Sequence, residues 1–403
     1  MLVMNMKKTF APIYNFPGYY VKDIDLSSEY AIVHLAKDQR YTDRCPYCDK
    51  KVVFNRDVTQ TVKDMPIGPV TLVLISYSAK QCYCSRCKKY HTFHPVGIDT
   101  KAKATTRFME FVSRLCRYLP ANIIPEFYPI SASTARRWDK RILTNSLPEP
   151  NMDNLEVLLI DEKQIRKGHN YVTLILNGIT GELLYFAEGK KKESIEPFFA
   201  KLTQEQKDSI IAVGIDRSGA YKSAVEDYLD NADIVFDRFH LIMNYNKVID
   251  KVRRKEYLDA KKEDKDVIKG QRFNLFRNKE NRTDDQKKSF QRLRMINENL
   301  CTMEIMKDGF RKLWTYVYGK CAKKHLVNWV NMAMESGIED LQKFAKGVLR
   351  DQKEILAYCK HRVTSGKLEG FNNIVSRIVH RACGCKDLDY LFLKLRQASL
   401  ANT

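Results

Sequence analysis

Two cysteine pairs, Cys45-Pro-Tyr-Cys48 and Cys84-Ser-Arg-Cys87, constrain the start of this chain more than any other feature. A Cys-x-x-Cys knuckle presents two thiolates from one tight turn, and two knuckles together satisfy a tetrahedral zinc ion. The spacing predicts a compact zinc-binding module over residues 1–100, with Cys45, Cys48, Cys84 and Cys87 as ligands. Cys82, His91 and His94 stand near enough to substitute, and a redox pair is the alternative chemistry. Pro and Gly interrupt β-branched stretches such as Thr71–Ser78, which predicts short strands. The chain holds 11 cysteines and opens with no apolar run of leader or membrane length, so reduced thiols and a cytoplasmic location are expected.

Helical periodicity begins near Thr105 and runs to Leu143, ahead of a linker carrying Pro148 and Pro150. Over residues 101–147 this predicts two helices and a turn, a helix-turn-helix, with Ser131 or Ser133 as the N-cap of the second helix. On that helix Ala135, Trp138 and Ile142 share one face. Thr134, Arg136, Arg137, Lys140 and Arg141 lie outside it, as a recognition helix in a major groove requires. The bland alternative is a basic amphipathic helix, and Pro125 interrupts the approach to it.

A formal charge of +20, from 69 Lys and Arg against 49 Asp and Glu, points to a polyanion as partner. The charge is uneven. Residues 151–249 hold 16 acidic and 12 basic side chains, whereas residues 250–403 hold 20 acidic and 34 basic. An acidic block inside a basic chain fits carboxylates that hold divalent cations, although surface scatter would look the same. Within the block, apolar runs and amphipathic stretches predict three strands, a helix, a strand, a helix and a strand. Asp161 closes the run EVLLID and Asp216 the run IIAVGID, so each carboxylate emerges after a buried stretch. Glu369 opens a helix whose apolar stripe is Phe371, Ile374, Val375, Ile378 and Val379, and shares its polar face with Asn372, Asn373 and Ser376. Each acid alone reads equally as a cap, a turn former or a solvated residue. From about Phe239 to Tyr358 the chain is Lys-rich and helical.

Four stretches resemble bacterial insertion-sequence transposases of the ISL-three type: the cysteine pairs with the following His-Thr-Phe; IDEKQIRKGHNYVTLIL; IDRSGAY continuing to VFDRFHLIMNYNKVIDKVRR; and SGKLEGFNNIVSRIVHRACG. The resemblance implies a multidomain α+β protein with a zinc module, a helix-turn-helix and an RNase H-like catalytic domain over residues 153–403, interrupted by a helical insertion at about 245–355. It implies Asp161, Asp216 and Glu369 as the acids that hold Mg²⁺ or Mn²⁺, phosphoryl transfer on DNA, and assembly as a homodimer or higher on the element's terminal inverted repeats. Asn177 departs from the family's pattern, where an acid is expected, and Cys383 and Cys385 stand where aromatic residues are expected. Asp237 and His240 match it without an assigned role. The rival readings are a transposase-derived DNA-binding regulator without cleavage activity and an RNase H-like nuclease acting on DNA structure.

Overall fold

A computed structural model describes residues 12–166, 168, 170–382 and 386–401. It divides into two compact units, Met1–Pro148 with Ile378–Gln397, and Glu149–Arg377 with Ala398–Thr403.

The first unit carries a sheet in the order Tyr19–Leu26, Tyr30–Lys37, Leu72–Cys84, Val53–Asp64, Ala104–Thr105, Ile98–Asp99, with Lys89–Phe93 also paired to Leu72–Cys84. Burial alternates along Leu72–Cys84, so Val73, Ile75, Tyr77 and Ala79 enter the core beside Ala31, Val33 and Leu35. Three helices follow: Thr106–Tyr118, Ile124–Phe127 and Ala132–Ser146. The middle one occupies what the sequence reads as a turn. Pro125 falls in its first turn, where a missing N–H removes no helical hydrogen bond. Ser131 caps the last helix by accepting from the Thr134 amide at 3.2 Å, while Phe108, Val112, Ala135 and Trp138 pack beneath. Residues Ile378–Gln397 belong here because buried Asp139 requires partners: Ser113 Oγ, Tyr390 Oη and Lys394 Nζ donate to it at 2.7, 2.5 and 3.1 Å.

The second unit is built on a five-stranded sheet in the order Leu183–Glu188, Asn170–Asn177, Val157–Arg166, Ala212–Ile215, Asp233–Phe236. Each of the first three runs antiparallel to its neighbour, and the last two run parallel to Val157–Arg166. Ala212–Ile215 is buried throughout, which is why its sequence is a continuous apolar run rather than an alternating one. Helix Gly219–Tyr228 makes the crossover between the parallel strands Ala212–Ile215 and Asp233–Phe236. A short helix, Gln204–Ser209, is absent from the sequence reading; a Thr203/Gln206 capping box starts it. Helices occupy most of 238–361, beginning with Arg238–Asp259. Trp314 and Trp329 are both buried there, packed on Phe310, and the Trp329 indole donates to the Met306 carbonyl at 2.7 Å. They are core residues. The chain then returns to the sheet. A Cβ at Gly214 would lie 2.8 Å from Val363, so this glycine lets the segment before the final helices cross close to the strand end. No helix among the described residues is long and apolar enough to cross a membrane.

Candidate functional site

Asp161, Asp216 and Glu369 arrive from two strands and a helix of the second unit and line one cleft of about 220 Å³. The apolar run ends at Asp161, but the strand continues to Arg166; the parallel pairing with Ala212–Ile215 covers only Val157 to Leu159. Asp161 therefore lies just past the point where its parallel neighbour stops. Asp216 follows the neighbouring strand directly, and its Oδ1 accepts from the Ser218 amide at 2.9 Å. Arg217 turns the other way, onto the Gly347 carbonyl at 3.3 Å and the Asp351 carboxylate, which ties this corner to the helical layer. Glu369 sits in the first turn of helix Gly366–Arg381, exposed at the cleft edge.

Two further polar groups stand in the lining. Asp237 caps helix Arg238–Asp259 and pairs with His240 Nδ1 at 2.7 Å. Asn372 Nδ2 donates to Asp161 Oδ2 at 2.7 Å, while the Glu162 amide donates to Asp161 Oδ1 at 2.8 Å. Burial pushes the carboxyls of Asp161 and Asp216 above the ordinary carboxylate range, against the pull of these hydrogen bonds and of His240. The hydrogen bond to Asp237 raises His240, and the charges of Asp161 and Asp216 add to that. When protonated, the imidazole offsets part of the like-charge repulsion. The three acids share the cleft without closing on one another: among the described residues the only group of three or more Cys, His, Asp or Glu with ligand atoms all within 4.8 Å is a cysteine group.

That group is Cys45, Cys48, Cys84 and Cys87, the four that sequence spacing selects. Sγ of Cys45 lies 3.8 Å from Cys87 and Sγ of Cys48 lies 3.6 Å from Cys84, and all four thiols are free. The Cys87 backbone N–H pulls the Cys84 thiol down to about 7, toward the thiolate that a metal takes. His91 Nε2 stands 3.6 Å from Cys45 Sγ, outside the four. His94 is turned onto the Tyr77 hydroxyl at 3.0 Å, and Cys82 is buried outside the group.

A family model described as "Transposase", of the DDE ISL-three type, matches residues 158–395. The chain belongs to this transposase family. It is 29% identical over 362 residues to the transposase for insertion sequence element IS1001 of Bordetella parapertussis, covering 89% of each chain. It is 24% identical over 281 residues to the transposase for insertion sequence element IS1557 of Mycobacterium tuberculosis (strain CDC 1551 / Oshkosh), covering 63% of this chain and 62% of that one.

In this transposase the five outward residues of helix Ala132–Ser146 differ in what they touch. Arg136 and Arg137 are exposed. Lys140 is held by Asp387 at 2.8 Å, Arg141 by Asp99 at 2.5 Å, and Thr134 accepts from Ser131 Oγ at 2.9 Å. Asn177 is buried and accepts from the amides of Ile179 and Thr180, a turn-closing role that an aspartate would fill equally. Cys383 and Cys385 lie outside the described residues. Sequence reasoning placed Asn372 on the polar face of its helix but missed its bond to Asp161. The i, i+3 spacing from Glu369 was the available signal. Lys163 and Ser365 also line the cleft, and nothing in their local sequence marks them.

Proposed function

We propose that this transposase binds the terminal inverted repeats of its insertion sequence and catalyses divalent-metal-dependent DNA cleavage and strand transfer at Asp161, Asp216 and Glu369. The observation that carries the reading is the delivery of three acids, spread from position 161 to position 369, into a single cleft. Three antiparallel strands followed by two parallel ones support an RNase H-like catalytic domain within residues 153–403, from which Ile378–Gln397 packs with the first unit, and with the helices at about 245–355 as its insertion. The donor set fits hard cations: carboxylates whose burial penalises their charge are stabilised when Mg²⁺ or Mn²⁺ neutralises them. Such ions, when bound, supply charge neutralisation at the scissile phosphate and activation of the attacking oxygen.

The chain's own residues do the rest. Asn372 and the Glu162 amide hold the Asp161 carboxylate in one orientation, and the Ser218 amide does the same for Asp216. Glu369 closes the cleft from the helix side. In the proposed reaction a water oxygen bonds to phosphorus as the bond to the 3′-oxygen breaks, and that oxygen leaves as a 3′-hydroxyl. The hydroxyl oxygen then bonds to a target phosphorus while a target P–O bond breaks, so no covalent protein intermediate forms. The first unit recognises the ends: residues 1–100 as a zinc module, residues 101–147 as a helix-turn-helix. Sulfur–sulfur distances of 3.6 and 3.8 Å fit the edge of about 3.8 Å expected for a tetrahedron with Zn–S near 2.3 Å. On Ala132–Ser146, Arg136 and Arg137 are available to DNA at once, whereas Thr134, Lys140 and Arg141 must first exchange partners. Pairing of two ends calls for a dimer or higher on DNA.

The test uses labelled duplex carrying the inverted repeats that flank the gene, with Mg²⁺, comparing wild type with Glu369→Gln. Nicking at the repeat boundary by wild type alone is the expected outcome. Specific binding without cleavage by either protein would instead establish the regulator.

A further inference from the structure

The side chain of Asn372 is fixed at one end and unanswered at the other. Its Nδ2 donates to Asp161 Oδ2 at 2.7 Å. A carboxylate only accepts hydrogen bonds, so the amide cannot be turned over without setting oxygen against oxygen. Asp161 therefore decides which way Asn372 points. The amide oxygen left over is buried and has no hydrogen-bond partner among the described residues. Buried acceptors in folded proteins are almost always satisfied, and an exception calls for an explanation, such as an ion or an ordered water. This exception lies in the cleft that Asp161, Asp216 and Glu369 line, and Asn372 stands one helical turn from Glu369 on the same face.

We infer that the amide oxygen of Asn372 is a ligand of the divalent cation held in this cleft, making Asn372 a fourth member of the proposed metal site. Carboxamide oxygens are ordinary ligands for hard cations, alongside carboxylates. A neutral ligand adds a donor to a cleft already strained by buried carboxylates without adding another negative charge. The nitrogen and the oxygen then have separate duties: one orients a charged ligand and the other binds. The inference rests on the assignment of Asp161 and Asp216 made above.

The two stand or fall separately in direct Mn²⁺ binding, read by electron paramagnetic resonance on the full-length protein in the absence of DNA. Asp161→Asn and Asp216→Asn weaken binding if the acid assignment is right; unchanged affinity in both overturns that assignment whatever Asn372 does. Asn372→Leu keeps the shape and removes both polar atoms, and about a tenfold or greater loss of Mn²⁺ affinity is expected. Asn372→Asp keeps an oxygen at the cation and loses the donor to Asp161, so it should bind Mn²⁺ at least as tightly as wild type. Wild-type affinity in Asn372→Leu overturns the inference and leaves the acids standing. Equal losses in the leucine and aspartate variants also overturn it, because Asn372 would then only position Asp161. Thermal unfolding without Mn²⁺ checks each variant's fold, and Asn372→Ala replaces the leucine variant if leucine disturbs packing.

Discussion

Cys45, Cys48, Cys84 and Cys87 reach one another through two knuckles and the pairing of neighbouring strands, whereas Asp161, Asp216 and Glu369 reach their cleft from two strands and a helix separated by most of the second unit. The cysteine group is closed and nearly at metal-binding spacing. The acids face a shared space at wider spacing, held by Asn372, the Ser218 amide and the Arg217–Asp351 tie. A thiol is weakly polar and tolerates close approach to its neighbours; carboxylates repel at short range until a cation intervenes. A group that fastens a fold together can therefore be preformed, while a group that performs chemistry stays open to ions and substrate.

The strongest way to break this contrast is Cys84→Ser. With one thiolate missing, a module whose folding relies on metal should lose most of that support, on the order of 10 kcal/mol by analogy with zinc-finger peptides. Proteolysis of residues 1–100 and loss of bound zinc, with the second unit still folded, are the expected readings; a protease-resistant, zinc-free module would end the claim. Asp351→Asn probes the tertiary tie. Asp351 is buried and ion-paired with partly buried Arg217, and breaking such a pair costs about 2 kcal/mol, between the surface and the fully buried case. Burial pushes the Asp351 carboxyl up, but Arg350 and Arg217 together bring it below the ordinary value. Its contribution is accordingly full at neutral pH and lost as pH falls through its folded value, so the wild type and the variant should converge in stability below about pH 4. Parallel stability curves down to acid pH would show that the tie contributes nothing. The smallest effect expected is Asp216→Asn. Removing a buried charge from a like-charged cleft should raise the stability of the metal-free protein by about 1 kcal/mol, the opposite sign to Cys84→Ser. A clear loss of stability would mean that Asp216 is there to hold the fold.

How much of this was legible beforehand follows from the range of the interactions involved. The two cysteine knuckles, the Ser131 cap, the strand runs EVLLID and IIAVGID, and the burial of Ala135 and Trp138 are consequences of spacing within a few residues, and the structure has them where the sequence put them. The resemblance added the transposase family, which the match over residues 158–395 supports. What local sequence did not determine is everything that depends on which segments meet. The turn before helix Ala132–Ser146 holds a helix of its own. Lys140 and Arg141 are engaged by Asp387 and Asp99, and Ile378–Gln397 joins the first unit through Asp139. Asn372 became a partner of Asp161 only because helix Gly366–Arg381 packs across the end of the parallel strands, 211 residues later in the chain. Periodicity fixes the face a side chain occupies, since that is set by backbone geometry over one or two turns. What lies opposite that face is set by packing and by the pairing of buried polar groups over the whole unit, and only the tertiary structure decides it.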